Sequence, residues 1–226
     1  MSISLFLLVC FLAAAVSPAG AKDPPPVAVT IEGIRGDLLK NVVAYLSIER
    51  PPPSPSDETV QRLYRQAPEE IKKALQALGH YHPQIHSELA RRDGRWEARF
   101  TIDAGPPVRV EKVDLKITGE GETDPPFEAI PEQFPLKPGV VLNHGLYEDA
   151  KKKMQGLAAE RGYFDARFTT SELQVDVQRN QADILLHFET GRRYRIGKVS
   201  FSGTEFDPGL LSRFVPFKPG EPYHTS

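Results

Sequence analysis

The chain has 226 residues, 40% of them hydrophobic and 26% charged, a balance that excludes a wholly disordered or fibrous protein. A formal net charge of -2 leaves no dominant basic face, which argues against a nucleic-acid-binding array. The single cysteine, Cys10, has no partner for a disulfide.

Residues 3–16 are apolar except for Ser4 and are followed by Ser17-Pro18-Ala19-Gly20-Ala21. A spanning helix needs about 20 apolar residues, so this stretch reads as a signal peptide over 1–21, cleaved after Ala21 at an A-x-A pattern. The amino-terminal Met1-Ser2-Ile3-Ser4 carries no Lys or Arg. Cleavage removes Cys10, and an exported chain without disulfides suits a Gram-negative periplasm.

A Pro-rich entry, Lys22 to Pro26, leads to the alternation of Val27, Val29 and Ile31, a strand ended by Gly33. Asp37 is expected to cap a helix bearing Leu38, Leu39, Val42, Val43 and Leu46, ended by Pro51-Pro52-Pro53-Ser54-Pro55. Ser56-Asp57-Glu58-Thr59 starts a second helix, expected to break at Ala67-Pro68 and to resume through Ile71, Ala74, Leu75 and Leu78 to Gly79. Trp96, Ala98, Phe100 and Ile102 then share one strand face and the core. Asp93-Gly94 before them signals a hairpin whose first strand is Gln84 to Ala90.

The order then repeats. Gly105-Pro106-Pro107-Val108-Arg109-Val110 returns 86 positions later as Gly191-Arg192-Arg193-Tyr194-Arg195-Ile196. Gly79-His80-Tyr81 returns after 83 positions as Gly162-Tyr163-Phe164, and Pro135-Leu136-Lys137-Pro138-Gly139 after 81 as Pro216-Phe217-Lys218-Pro219-Gly220. In the second unit Val113, Leu115 and Ile117 form a first strand, followed by a loop over 119–126 and a short helix or turn over 127–134. Asn143 caps a helix with Leu146, Ala150, Met154, Leu157 and Ala158, ending at Gly162. Phe168, Leu173, Val175 and Val177 lie on a hairpin strand, Gln178 to Gln181 form its turn, and Ala182, Ile184, Leu186 and Phe188 face inward. A third unit offers a strand from Tyr194 to Phe201 and a helix from Asp207 to Phe214, and stops at Ser226 before its long helix. The fold class is α+β: β-α-α-β-β units, each with two helices on a three-stranded mixed sheet. The expected domains are 27–105, 107–191 and an incomplete third over 192–226.

This order, the helix-ending Gly162-Tyr163-Phe164 and the linker Tyr194-Arg195-Ile196-Gly197-Lys198-Val199 resemble POTRA domains, periplasmic modules in front of outer-membrane β-barrels. The first unit, through Val29-Thr30-Ile31-Glu32-Gly33-Ile34 and Glu70 to Tyr81, is similar to the amino-terminal POTRA of the TamA-type subunits of the translocation and assembly module. That family carries three such domains and then a barrel, and no barrel strands are present in this sequence. The resemblance implies a non-catalytic docking role at the outer membrane. A TamB-like inner-membrane-anchored partner and unfolded outer-membrane or autotransporter clients would be bound, with no cofactor.

A three-stranded sheet leaves an edge of unpaired main chain, a template for an incoming extended segment. The hairpin's first strands are the candidates: Ile85, His86, Ser87, Glu88 and Leu89 in the first unit, and Phe168, Thr169, Leu173, Val175 and Val177 in the second. Gly105, Arg109, Gly191 and Arg195 mark the linkers that would set the angle between units. Lys151-Lys152-Lys153 reads as a solvated helix face. His80, His82 and His86 could offer metal ligands, but the equivalent Tyr163, Asp165 and Thr169 could not. No catalytic motif is present. Two other readings remain open: a two-partner secretion or stand-alone periplasmic scaffold, and a small exported hydrolase or metalloenzyme.

Overall fold

The computed structural model describes residues 26–203 and 206–225; the expected leader, Cys10 and Ala21 lie outside them. Two complete modules follow one another. The first contains β1 (Val27–Glu32), α1 (Gly36–Tyr45), α2 (Asp57–Ala77), β2 (Gln84–Arg92) and β3 (Arg95–Asp103). The second contains β4 (Arg109–Thr118), two one-turn helices α3 (Pro125–Glu128) and α4 (Ile130–Gln133), then α5 (His144–Glu160), β5 (Arg167–Asp176) and β6 (Gln181–Glu189). A last short helix, α6 (Pro208–Ser212), belongs to the third unit.

Each sheet has its last strand in the centre: β1-β3-β2 and β4-β6-β5. The first strand pairs parallel to the centre and the hairpin strand antiparallel. The central strands bury every second residue, Ala98, Phe100 and Ile102 in one sheet and Ala182, Ile184, Leu186 and Phe188 in the other. Phe100, Ile102, Ile184, Leu186 and Phe188 each contribute about 1.5–3 kcal/mol. The two cores are separate. Trp96 is only partly buried at the margin of the first, with Nε1 donating to Asp57 Oδ1 at 2.9 Å.

Helix α2 runs unbroken through Pro68, correcting the expected interruption. Pro68 costs about 3 kcal/mol in a helix interior, but Val60, Leu63, Ala67, Ile71, Ala74 and Leu75 are buried along one continuous face, and that stripe outweighs one lost backbone bond. Ser56 caps α2 by accepting from the Thr59 amide at 3.2 Å. Asp37 caps nothing: α1 begins at Gly36 after Arg35, with no side-chain cap, and Asp37 instead pairs with Lys40 on the exposed surface. Nor do the prolines end α1, which stops at Tyr45 and passes into a single 3-10 turn over Ser47–Glu49.

The second sheet carries two β-bulges, at Glu111 between Val110 and Lys112, and at Thr169 between Phe168 and Thr170. They explain how pairs an odd number of residues apart, Val110 and Val113 or Phe168 and Leu173, can all pack on one core. Val177 is not in β5. Asp176 Oδ1 accepts from the amides of Gln178 and Arg179, both at 3.0 Å, and this turns the chain at Val177 before the ladder can extend.

No strand forms over Tyr194 to Phe201; only Arg195 makes a bridge, to Pro222. In both complete modules the first strand pairs with the module's last strand, and the described residues of the third unit contain no such partner. Its apolar residues are correspondingly exposed: Leu210 by 46% and Phe214 by 76%.

Candidate functional site

In both sheets the hairpin's first strand is an edge. β2 bonds only to β3 and β5 only to β6 among the described residues, so one margin of each is free to pair. Ile85 and Leu89 of β2 turn toward the helices at the rim of the first core, while His86 and Glu88 face solvent, 3.5 Å apart. Ser87 lies between the two apolar residues and accepts a hydrogen bond from the Tyr64 hydroxyl at 3.0 Å. In β5, Phe168, Leu173 and Val175 pack at the rim of the second core. Ser171 meets the Tyr147 hydroxyl at 3.1 Å, and Thr169 is the bulged residue. Lys151 is not simply solvated: its ammonium lies 5.0 Å from the Tyr147 ring and 5.9 Å from the Phe168 ring, with the side chain 21% exposed.

The repeated sequence motifs converge on a second feature, a junction built the same way twice. The long helices end in matching turns. His80 and Gly79 amides donate back to Leu75 and Gln76, and Tyr163 and Gly162 amides to Ala158 and Ala159. Both glycines have positive φ, +86° and +81°. The freed carbonyl of Gly79 then accepts from Val108, and that of Gly162 from Tyr194. Val108 and Val110 pair with Leu142, Val140 and Gly139, and Tyr194 and Ile196 pair with Tyr223, Glu221 and Gly220. The turn carbonyls of Gly139 and Gly220 are closed by the Arg109 and Arg195 guanidinium groups at 2.7 and 2.9 Å. Those arginines are therefore structural parts of a small ribbon at the entry to the next unit. Gly105 and Gly191 supply the left-handed bends before it, at φ +67° and +69°.

The aromatic two positions after each helix-ending glycine crosses into the next unit. Tyr81 packs on the second core and its hydroxyl lies 2.7 Å from His144 Nε2. Phe164 sits 5.4 Å from the Tyr194 ring and 5.0 Å from the Tyr223 ring. The aromatic was visible in the repeat, but its partner was not. Burial holds His144 below the usual histidine range despite the opposing charge of Glu148, and burial raises Tyr81.

At the second junction alone an ionic cluster is added. Asp124 is 7% exposed and accepts from Arg161 Nε and Nη2 at 2.7 and 2.6 Å and from the Tyr163 hydroxyl at 3.0 Å. Arg193 Nη1 stands 3.8 Å away, while its Nε donates to Arg161 O at 2.9 Å. Burial by itself would raise the Asp124 carboxyl. The bonds from Arg161 and Tyr163 and the charges of Arg161 and Arg193 outweigh it and hold the group below the usual carboxylate range. Sequence inspection missed this cluster, because its members sit far apart in the chain and only the fold assembles them.

The three histidines do not converge on a metal. His80 Nδ1 lies 3.1 and 3.0 Å from the carbonyls of Ala104 and Gly105, and His86 pairs with Glu88 on the sheet surface. Among the described residues no group of three His, Cys, Asp or Glu is placed to hold a metal ion. A groove of about 680 Å³ runs between α4 and α5, lined by Ile130, Phe134, Leu146, Ala150 and Leu157.

Comparison with known proteins assigns both modules. Residues 28–104 match the family described as POTRA domain TamA domain 1, and residues 108–191 match the POTRA family described as surface antigen variable number repeat. The chain belongs to the POTRA domains of BamA/TamA-like outer-membrane assembly proteins. It is 24% identical over 148 residues to the outer membrane protein assembly factor BamA of Neisseria meningitidis, covering 61% of this chain and 18% of that protein's length. Similar solved structures include the Haemophilus influenzae BamA POTRA3-5 fragment, at 15% identity and a TM-score of 0.41, covering 88% of this chain and 79% of that one. Another is POTRA1-3 of the periplasmic domain of Omp85 from Anabaena, at 16% identity and a TM-score of 0.36, covering 88% and 77%.

Proposed function

We propose that this chain is the periplasmic POTRA region of a TamA-type subunit. In that role it docks a TamB-like partner and passes unfolded outer-membrane or autotransporter clients toward a barrel by strand addition. The observation that carries this is the pair of unpaired margins on β2 and β5. Main-chain pairing does not depend on side-chain identity, so one edge can receive many extended sequences. The third unit, by its repeated ribbon and its exposed apolar residues, is read as the opening of a further POTRA domain. Exported by its leader, the chain would work in the periplasm.

The test is a proline scan through residues 87–90 and 171–174, with binding of an unfolded client segment as the readout. Along an edge strand alternate amides point outward. At those positions proline should leave the far-ultraviolet spectrum unchanged while weakening binding at least tenfold. Unchanged affinity at every folded variant would remove strand addition from the account.

A further inference from the structure

The two modules cover their long helices differently. We propose that the groove between α4 and α5 of the second module is a docking site for an amphipathic α-helix of a partner protein. The occupant carries basic residues toward both ends of its docking face and an acidic one between them. The site lies apart from the free strand margins and does not depend on them.

The repeat supplies the comparison. Gly79 and Gly162 are 83 positions apart, and the same offset pairs Leu63 with Leu146, Ala67 with Ala150 and Ala74 with Leu157. Leu63, Ala67 and Ala74 are buried, whereas Leu146 is 40% exposed and Ala150 and Leu157 are only partly covered. A helix closes that face in the first module. There α1 lies along α2 with Val42 and Leu46 fully buried, and Asn41 Nδ2 donates to Ala74 O at 2.6 Å. In the second module the same place falls to α3 and α4, single turns that each carry proline at their start. Pro131 has no amide hydrogen to donate back to Phe127, so the two turns do not join into one helix like α1. They form the opposite wall of the 680 Å³ cleft instead of a close cover. The element that fits this uncovered face is the one that covers its counterpart, a helix laid in a groove.

Charge specifies the occupant further. Asp149, Lys153 and Glu160 all line the groove. Their neighbours are engaged, Lys151 with Glu148 and Arg161 with Asp124. Asp149, Lys153 and Glu160 form no salt bridge among the described residues. From Leu146 to Glu160 the helix rises about 21 Å, so a partner helix of about four turns spans the site. Lys, Glu and Lys at the spacing of the three groove residues would each meet the opposite charge. The reversed pattern would meet like charges.

The probe is a fluorescein-labelled synthetic peptide of leucine and alanine carrying Lys, Glu and Lys at that spacing, made in both chain orders. A second peptide carries Glu, Lys and Glu instead. Binding to the full chain is read by fluorescence anisotropy, and peptide helicity by circular dichroism. The first peptide should bind in one of its orders and gain helix. Leu146→Gln removes an exposed part of the apolar wall, and Gly156→Trp fills the groove at a position where a Cβ meets nothing within 4 Å. Each should leave the far-ultraviolet spectrum of the protein unchanged and weaken binding at least fivefold. Gln155→Trp, outside the groove, and the edge-strand proline variants should bind as the wild type does. No binding in either order, equal binding of the charge-reversed peptide, or affinity that survives both groove variants would overturn the proposal. Loss of binding in the edge-strand variants alone would assign the peptide to the strand margins and would overturn it too, while leaving strand addition in place. Unchanged affinity with a proline at the centre of the peptide would mean an extended occupant and would overturn the helix assignment.

Discussion

Tyr64 donates to Ser87 at 3.0 Å, and Tyr147 meets Ser171 at 3.1 Å. Each tyrosine stands the same number of positions before its helix-ending glycine, and each serine is on the free edge strand of its module. The long helix is thereby tied to one of the two edge strands of its sheet.

These ties have measurable weight. Tyr64→Phe and Tyr147→Phe should each cost about 1 kcal/mol, the net value of one partly buried hydrogen bond. A double-mutant cycle of Tyr64→Phe with Ser87→Ala should return a coupling of about 0.5–1 kcal/mol in denaturant unfolding. Additive losses would show that the two hydroxyls act separately.

The helix-ending glycines are constrained by contact as well as by conformation. Gly79 and Gly139 have nearly equal φ, +86° and +87°. A Cβ on Gly79 would lie 2.6 Å from Leu142 O, whereas one on Gly139 meets nothing within 4 Å. Gly139→Ala should therefore cost about 1–2 kcal/mol from backbone strain alone. Gly79→Ala should cost about 1–3 kcal/mol more, with faster hydrogen exchange at the Val108 amide, which bonds to Gly79 O.

The Asp124 cluster predicts acid sensitivity of the second module. Its folded carboxyl is held below the ordinary value, so the stabilisation is complete above the unfolded pKa, about 4, and is lost as pH falls through the lower folded value. Asp124→Asn should cost about 3 kcal/mol at neutral pH and flatten the dependence of stability on pH below about 4. A variant retaining the wild-type acid profile would contradict this.

The first junction responds at milder pH. Burial disfavours the charged form of His144, so a proton binds the unfolded chain more readily than the folded one. Stability should be full above about pH 6.5 and fall as the pH drops through the depressed folded value. His144→Gln should abolish that component, and Tyr81→Phe should cost about 1 kcal/mol. Both are read from melting curves recorded between pH 5 and 8.

Period-two alternation in β3 and β6 and the turn-forming glycines were legible along the chain, because strand pleat and left-handed turns are local properties. Hairpin connectivity likewise set β2 beside β3 and β5 beside β6, but their place at the edge depends on the long-range pairing of the first strand with the last. Pro68 was misread for the opposite reason: a local penalty was weighed without the buried stripe, which exists only once the helix lies on its sheet. Val177 was misread because the Asp176 turn competes with the ladder. The arginines at 109 and 195 looked like linker residues, and only folding showed each closing a turn some thirty residues away or less.

The linear order of residues determined that this protein is a series of similar α+β units joined by glycine-initiated linkers, since periodicity and repetition are written in it directly. The tertiary structure decided how the units grip one another and which margins stay open. Tyr81 on His144, Arg161 and Arg193 about Asp124, and the bulge at Thr169 each depend on distances between segments far apart in the chain, and no local pattern encodes those.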